Sequence, residues 1–476
     1  MKKVYCAHPL MAFNLMKPFL FVLVLPFLRG VLQYLTDREV TSVLGIELIL
    51  FGLITLIGVL RCRAFRLIIS GNSVTVQNGL LFTERATIKI SQLSSVQSNQ
   101  NPLDAICRAV TYSINTEAGR KNQTDFTFKL WVKDSREIST LLYGDGQPKE
   151  FKFSVLKVAV LAATTSSAFT GLIIGVPIIN KMGNLLGMAL DRMLLDEINN
   201  ASNQFSLYFP PIINVVTIFF LLGYSVSFIY SFLKYINFRL FLGKNKLEVR
   251  SGFFTRTRTS FSKDAVNDVR IEQTALMLLI KRYAMKVSIG GYGDSKSESE
   301  VIVPSGRHGE IKRGFTMYFP FLEPDGRLIH AARSRITKNR FLFWPALWLI
   351  VLLIISPVLV YLFTDFGRVI LFVTLIALAL IFCYAYICLV EYKFGKIRLG
   401  DTVFAHSKKM MRTCELYCPK ENVGEIKITR IFKDFKYNTC RVKITVRSES
   451  ADSIRVRMLN YADVKSEIYK CYRIHE

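Results

Sequence analysis

"FRLIISGNSVTVQNGLLFTER" at residues 65–85 aligns without a gap on "FRLFLGKNKLEVRSGFFTRTR" at 238–258, an offset of 173 residues. Phe65/Phe238, Arg66/Arg239, Leu67/Leu240, Asn72/Asn245, Val76/Val249, Gly79/Gly252 and Arg85/Arg258 coincide. Further on, so do Val96/Val269, Gln100/Gln273 and Leu103/Leu276. A third stretch follows at an offset of 330, as a pattern only. Ile397, Leu399, Phe404, Val423, Ile426 and Ile444 fall where the first stretch has apolar strand residues, but the Gly and the Gln are missing. Alternation of apolar and polar residues in "VTV", "LEV", "RVKITV" and "SIRVRM" predicts strands with one buried face. Asn78-Gly79 and Ser251-Gly252 mark turns between them. A unit that recurs three times decides the architecture before any single motif does.

Outward from these stretches the chain turns apolar. Segments at 18–35, 43–60, 155–179, 207–233, 341–363 and 368–390 are each close to the ~20 residues that cross a bilayer as a helix. The predicted organisation is therefore a hairpin of spans at 1–60, 155–233 and 341–390, with a strand-rich domain after each at 61–154, 234–340 and 391–476. The first span is not a signal peptide: no small-residue cleavage site follows, and a second apolar run begins at once. The connector at 180–206 predicts an amphipathic helix on the outer surface, with Leu185, Leu186, Ala189, Met193 and Ile198 on one face, rather than a short extension of the third span.

Charge is segregated in the same way. The chain carries 62 Lys+Arg against 36 Asp+Glu, with 51% apolar residues and a mean hydropathy of +0.30. The three strand-rich stretches hold net charges of +5, +11 and +8, which is nearly all of the +26. Arg61, Arg63 and Arg66, then Lys234 and Arg239, then Lys393, Lys396 and Arg398 follow the even-numbered spans. By the positive-inside rule both termini and all three domains are expected at the cytoplasmic face of the inner membrane. The nine scattered cysteines fit a reducing compartment rather than a disulfide framework.

The succession "(F/Y)RL", strand, "x-G-(L/F)-(L/F)-x-x-R", "I-x-x-(I/L)-x-x-V-x-x-x-Q" and "L-x-x-(I/L)" resembles the bacterial pleckstrin-homology-like (bPH2) domain. With His8-Pro9 before the first span, the tripled chain is similar to the multi-pass, YdbT-type members of that family. The first and second domains match well, the third loosely. The resemblance implies an α+β membrane protein. Six transmembrane helices in three hairpins would each be followed by a PH-like antiparallel β-barrel closed by a C-terminal helix. It brings no enzymatic activity. It implies display of three domains that bind lipid headgroups, peptides or a partner protein, with envelope stress response as the setting. The partners expected are membrane lipids, a smaller single-repeat PH-like membrane protein and a second copy of the chain.

No phosphate loop, zincin motif, nucleophile elbow or kinase set is present, so no catalytic, cofactor or metal residue is assigned. Cys414 and Cys418, with His406 and Cys440 nearby, are conceivable zinc ligands but lack the paired second motif of a zinc site, so no metal is assigned to them. "GGYG" at 290–293 reads as a hairpin tip rather than a phosphate cradle. Basic clusters carry more. Arg256, Arg258 and Lys263 alternate along one strand, Lys281 and Arg282 adjoin, and Lys408, Lys409 and Arg412 cluster in the third domain. Near an anionic leaflet each basic group contributes about 1 kcal/mol. The alternative is a solvated cytoplasmic surface. Nucleic acid is not expected, because no aromatic-interleaved strip or helix-turn-helix accompanies the charge.

The third span holds the small-residue run "AATTSSAFTGLIIG" at 162–175, which favours close helix packing over a polar transport path. A component of a transport or export complex is the second functional reading. It would need ionisable groups or a broken helix at mid-membrane depth. In the first hairpin, Arg29 and Glu47 would lie at similar depths below the outer surface, about 9 and 6 Å at the helical rise, and are expected to form an ion pair, the alternative being that each snorkels separately to the outer interface.

Overall fold

The computed structural model describes residues 2–13, 16, 42–79, 83–116, 126–143, 148–175, 177, 193, 196–198, 200, 211–290, 300–331, 335–409, 412–447 and 453–472. The chain forms two units. One comprises residues 1–152, 239–265 and 289–298; the other comprises 153–238, 266–288 and 299–476.

In chain order, the first unit begins with β1 (Lys2–Cys6), helix α1 (Ser42–Ala64), β2 (Arg66–Ser70), β3 (Ser73–Asn78) and β4 (Glu84–Lys89). Then come β5 (Leu93–Gln100), the short helix α2 (Pro102–Ile106), β6 (Ala109–Thr116), β7 (Phe126–Trp131), α3 (Val132–Tyr143) and β8 (Lys149–Lys152). The chain next runs through the second unit in α4 (Val155–Thr165), α5 (Ala168–Gly175) and α6 (Pro211–Tyr235). It returns for β9 (Arg239–Leu242), β10 (Lys246–Ser251) and β11 (Arg256–Ser262). The rest of the second unit is β12 (Val266–Thr274), α7 (Ala275–Leu279), β13 (Tyr283–Ile289), β14 (Glu300–Gly306), α8 (His308–Tyr318) and β15 (Leu328–His330). Helices α9 (Arg335–Leu362) and α10 (Gly367–Phe394) follow, then β16 (Lys396–Arg398), β17 (Thr402–Lys409), β18 (Arg412–Pro419) and β19 (Val423–Thr429). The chain closes with α11 (Phe432–Lys436), β20 (Thr439–Val446), β21 (Ser453–Asn460) and α12 (Tyr461–Tyr472).

The offsets seen in the sequence reappear in the backbone. Strands β2 to β6, β9 to β13 and β16 to β20 succeed one another in the same order, with a short helix after the fourth strand each time. That helix ends each time on a left-handed residue: Arg108 (φ 55°), Lys281 (φ 52°) and Asn438 (φ 48°), which are 173 and 330 positions apart. Left-handed backbone closes a helix by satisfying its last carbonyls, and here it does so without glycine. Gly79 (φ 117°) and Gly252 (φ 106°) share the position after the second strand of each set. A Cβ on Gly252 would fall 2.0 Å from the Thr255 carbonyl oxygen, so the turn requires glycine.

Among the described residues the strands form four antiparallel sheets. Two features of their order are absent from the sequence expectation. First, each set of strands begins before its apolar helices. In the first unit β1 pairs with β2 and β8 with β9; in the second β15 pairs with β16. The apolar segments are thus insertions between paired neighbours, and β8, at the end of 61–154 in the sequence reading, pairs with the first strand of 234–340. Second, the sheets do not stop at the predicted domain limits. The first unit holds the order β1-β2-β3-β4 and the order β7-β6-β5-β11-β10-β9-β8; the second holds β14-β13-β12-β18-β17-β16-β15 and β19-β20-β21.

The core of the first unit joins β1 to β3 with β5 to β7 and α3, through Phe65, Leu67, Val74, Val96, Tyr112, Ile114, Phe128 and Ile138. That of the second joins β15 to β18 with β19 to β21 and α12, through Ile397, Val403, Leu416, Val442, Ile444 and Val464. Full burial of such side chains contributes about 1.5–3 kcal/mol each. Cys414, Cys418 and Cys440 are part of this second core, and burial pushes the Cys440 thiol up to about 12.

Among the described residues three helical segments are long and apolar enough to cross a membrane: Val215–Tyr235, Phe341–Leu362 and Val369–Phe394. A fourth exists if α4 and α5 count as one span. The continuous third span expected at 155–179 is corrected here: α4 and α5 meet at 91°. The Ser/Thr run lies at the break. Thr165 and Ser166 turn their hydroxyls back onto the Leu161 and Ala162 carbonyls, which bends helices. The groups freed at the break are satisfied by α6: Tyr224 donates to the Ala163 carbonyl (2.8 Å) and the Ser167 amide donates to Ser227 Oγ (3.1 Å). Helix α4 buries Val158, Leu161 and Ala162 and packs on β14, with Lys157 Nζ 2.9 Å from Glu310 Oε2. It therefore packs with the β strands of this unit, and the break follows directly on that packing. Beyond it α5 and α6 touch backbone to backbone, since a Cβ on Gly171 would fall 1.5 Å from the Gly223 carbonyl oxygen. Arg29 lies outside the described residues, as does most of the 180–206 connector; Glu47 is on α1, with its side chain outside the description.

Candidate interaction surface

In the first unit, the end of the sheets at which the chain leaves for its apolar helices is fixed by register. Cys6 faces Arg66, which faces Gln77. Lys152 faces Arg239, which faces Arg250, which faces Arg258, which faces Ser98. Past that row project the β10–β11 tip, Gln100, the short helix α2 and the end of β7. Polar contacts tie this end to α1. His8 Nδ1 accepts from the Leu10 amide, so its Nε2 donates to the Cys107 carbonyl (3.1 Å). The His8 amide donates to the Lys129 carbonyl, and Cys62 of α1 donates its thiol to the His8 carbonyl. The His8 ring lies edge-on to Trp131, and burial holds its pKa below the ordinary value. His8-Pro9 is thus an anchor between α1, α2 and β7.

The side chains that project at this end are apolar. Leu103 and Ile106 of α2 are 74% and 79% exposed, and Phe253 and Phe254 at the β10–β11 tip are more than half exposed. Arg108 and Arg256 are exposed beside them. Beneath α2, Asp104 is buried in an ion pair with Lys129 and accepts from Thr111, which pins the short helix to β6 and β7.

The second unit repeats the arrangement. His330 faces Lys396, which opens β16 two residues past the end of α10, and Lys396 faces His406. The adjoining ends of β17 and β18, and α7, lie past this row, because Arg412 faces both Lys409 and Thr274. On α7 and its C-terminus Leu276, Leu279 and Ile280 are exposed, Leu279 by 77%. At the equivalent place after β19, Ile431, Phe435 and Tyr437 are exposed, with Lys436 beside them.

The predicted basic residues separate on this frame. Lys281 and Arg282 follow α7, and Lys408, Lys409 and Arg412 lie at the adjoining ends of β17 and β18, so these five share one end of one sheet. Arg412 also lies 3.7 Å from Glu272. Arg256, Arg258 and Lys263 do not form one patch. Their strand, β11, is the centre of its sheet rather than an exposed edge. Arg256 is at the helix-side end; Lys263, at the far end, donates to the Lys244 carbonyl (2.8 Å). Seven residues of extended strand separate them by about 24 Å. Arg258 is engaged by Glu248 (Nη2–Oε2 2.8 Å), over the buried Tyr112. The apolar members of the surface escaped the sequence reading, although "NPLDAIC", "TALMLLIK" and "IFKDFKY" are visible as short apolar runs between strands.

Apolar helices set between paired strands, with exposed apolar and basic side chains gathered at the helix-side end, define a membrane-associated protein built of antiparallel β domains. The family model for the bacterial PH domain (bPH_2) matches residues 19–145 and 192–308, just over half of the chain, and the chain belongs to that family. No curated protein and no solved structure matches it.

Proposed function

We propose that this chain is a non-enzymatic, multi-pass inner-membrane protein with six spans in three hairpins and both termini cytoplasmic. Its three PH-like domains would grip the anionic membrane surface with their helix-side ends. The observation that supports this is the recurrence, at three equivalent places, of a short helix with exposed apolar side chains next to basic ones: Leu103 and Ile106 by Arg108, Leu279 by Lys281, and Phe435 by Lys436. In water such side chains are a liability. At a lipid interface each recovers part of the ~1.5–3 kcal/mol of full burial, and each flanking cation contributes about 1 kcal/mol.

The test uses the full chain in nanodiscs containing phosphatidylglycerol, with the exposed thiols Cys6, Cys107 and Cys383 replaced by serine. An environment-sensitive fluorophore is placed through Ile106→Cys, Leu279→Cys or, as a far-end control, Lys244→Cys. Blue-shifted emission quenched by brominated lipid at 106 and 279, and not at 244, is expected. Emission at 106 and 279 indistinguishable from that at 244 would rule the membrane grip out.

A further inference from the structure

Two sheet edges in this chain are left over from a pattern the chain otherwise completes. Strand β11 pairs with β5, and β18 pairs with β12, so the third strand of one set joins the fourth strand of the set before it. By the same offsets β4 is the counterpart of β11 and β18, and β19 is the counterpart of β5 and β12. Among the described residues β4 is paired only with β3, and β19 only with β20.

Burial reflects the difference. Thr259, Ser260 and Phe261 of β11 and Thr413 to Leu416 of β18 are buried, as are Ser94 to Val96 of β5 and six residues of β12. In β4 and β19 no residue is buried. Each exposes a row of backbone donors and acceptors, a ready template for another strand.

We propose that β4 of one copy pairs antiparallel with β19 of a second copy, head to tail, and so builds a third junction of the kind the chain contains twice. The two existing junctions fix its register independently. Thr257 faces Asn99 in one, and Cys414 faces Glu272 in the other. Carried through the offsets of 173 and 330, both place Glu84 opposite Thr429, Ala86 opposite Lys427 and Ile88 opposite Glu425. Glu84 then shares a face with Lys427 as its diagonal neighbour, an attractive cross-strand contact. The charged Glu84, Arg85 and Lys89 discourage indiscriminate pairing of the same edge. One chain carries both complementary edges, so a second copy supplies the partner for each. The contact is heterologous and either closes a ring or runs on as a filament. The inference does not depend on the lipid reading.

Cysteine crosslinking of full-length chains in one membrane tests it. Two differently tagged chains, one carrying Glu84→Cys and the other Thr429→Cys, are co-expressed in the serine background given above and oxidised. A disulfide-linked heterodimer is expected only when both are present, and a ladder of higher species when one chain carries both substitutions. The out-of-register pair Lys89→Cys with Thr429→Cys should lose the product. Should either chain fail to accumulate, Ile88→Cys with Glu425→Cys probes the same register. The proposal is overturned by no product from the in-register pairs, by equal product from the out-of-register pair, or by a homodimer of Glu84→Cys alone, which would mean that β4 pairs with β4.

Discussion

Replacing Asp104 by Ala should loosen the first of the short helices and cost the first unit about 3 kcal/mol. The Asp104 side chain is 2% exposed and sits in the first turn of α2, paired with Lys129 and accepting from Thr111 Oγ1 at 3.4 Å. The alanine leaves the Lys129 ammonium without its carboxylate at a site where only 11% of the side chain reaches water. Breaking one half of a buried pair costs about 3–5 kcal/mol, and the partial access of Lys129 places this case at the lower end. For a unit of about 190 residues, 3 kcal/mol lowers the unfolding midpoint by about 6–12 °C. Trp131, two residues from Lys129 and edge-on to His8, is a built-in fluorescence probe for the scan in detergent. Amide exchange should rise selectively at 101–108. Asp104→Leu with Lys129→Met removes both charges and should recover more than half of the loss. A loss below about 1 kcal/mol for Asp104→Ala, or a double variant as unstable as the two single losses combined, would show that the pair does not hold α2 in place.

Three further outcomes follow from the geometry. Gly171→Ala should cost about 1–3 kcal/mol by driving α5 off the Gly223 backbone, and should open the chain to protease near 166; unchanged stability and proteolysis would refute the close packing. Lys281→Gly should stabilise the second unit by about 1 kcal/mol, because lysine there occupies left-handed backbone; a lower midpoint would refute this. His8 is neutral in the fold, its pKa depressed by burial, so its contribution is complete above the ordinary histidine value of about 6.5 and is lost as pH falls below it. His406 is depressed in the same sense, so His8→Asn should flatten, without abolishing, the fall in midpoint between pH 7.5 and 5.5; an unaltered slope would exclude His8 as a contributor.

The ungapped alignment of 65–85 on 238–258 carried the repeat because Phe65/Phe238 and Gly79/Gly252 are constrained by core and turn, and such positions accept few residues. The left-handed positions were silent, since Arg108 and Lys281 are not the glycine that ordinarily marks such a position. Strand periodicity told which face of β11 is polar but not which strands flank it. Its central place, and the ~24 Å between Arg256 and Lys263, were therefore out of reach. Strands as short as β15 lack the length to show a period of two, so pairing across the apolar insertions went unread. The bend between α4 and α5 falls on "TTSS" at 164–167, a run that hydropathy averages over.

Sheets that join successive sets of strands impose an order of assembly during translation. When the ribosome has released residue 131, β5, β6 and β7 exist, but β11, which will cover the edge of β5, is still about 125 codons away. Between those moments α4, α5 and α6 are synthesised. The half-made sheet must meanwhile wait with Ser94, Ser95 and Val96 uncovered at its edge, a state open to chaperones and to mispairing. The same logic governs dissection in the laboratory. A fragment ending near 154 would carry that exposed edge permanently. A fragment running on through 262 would retain the sheet intact, and is the smallest piece to express.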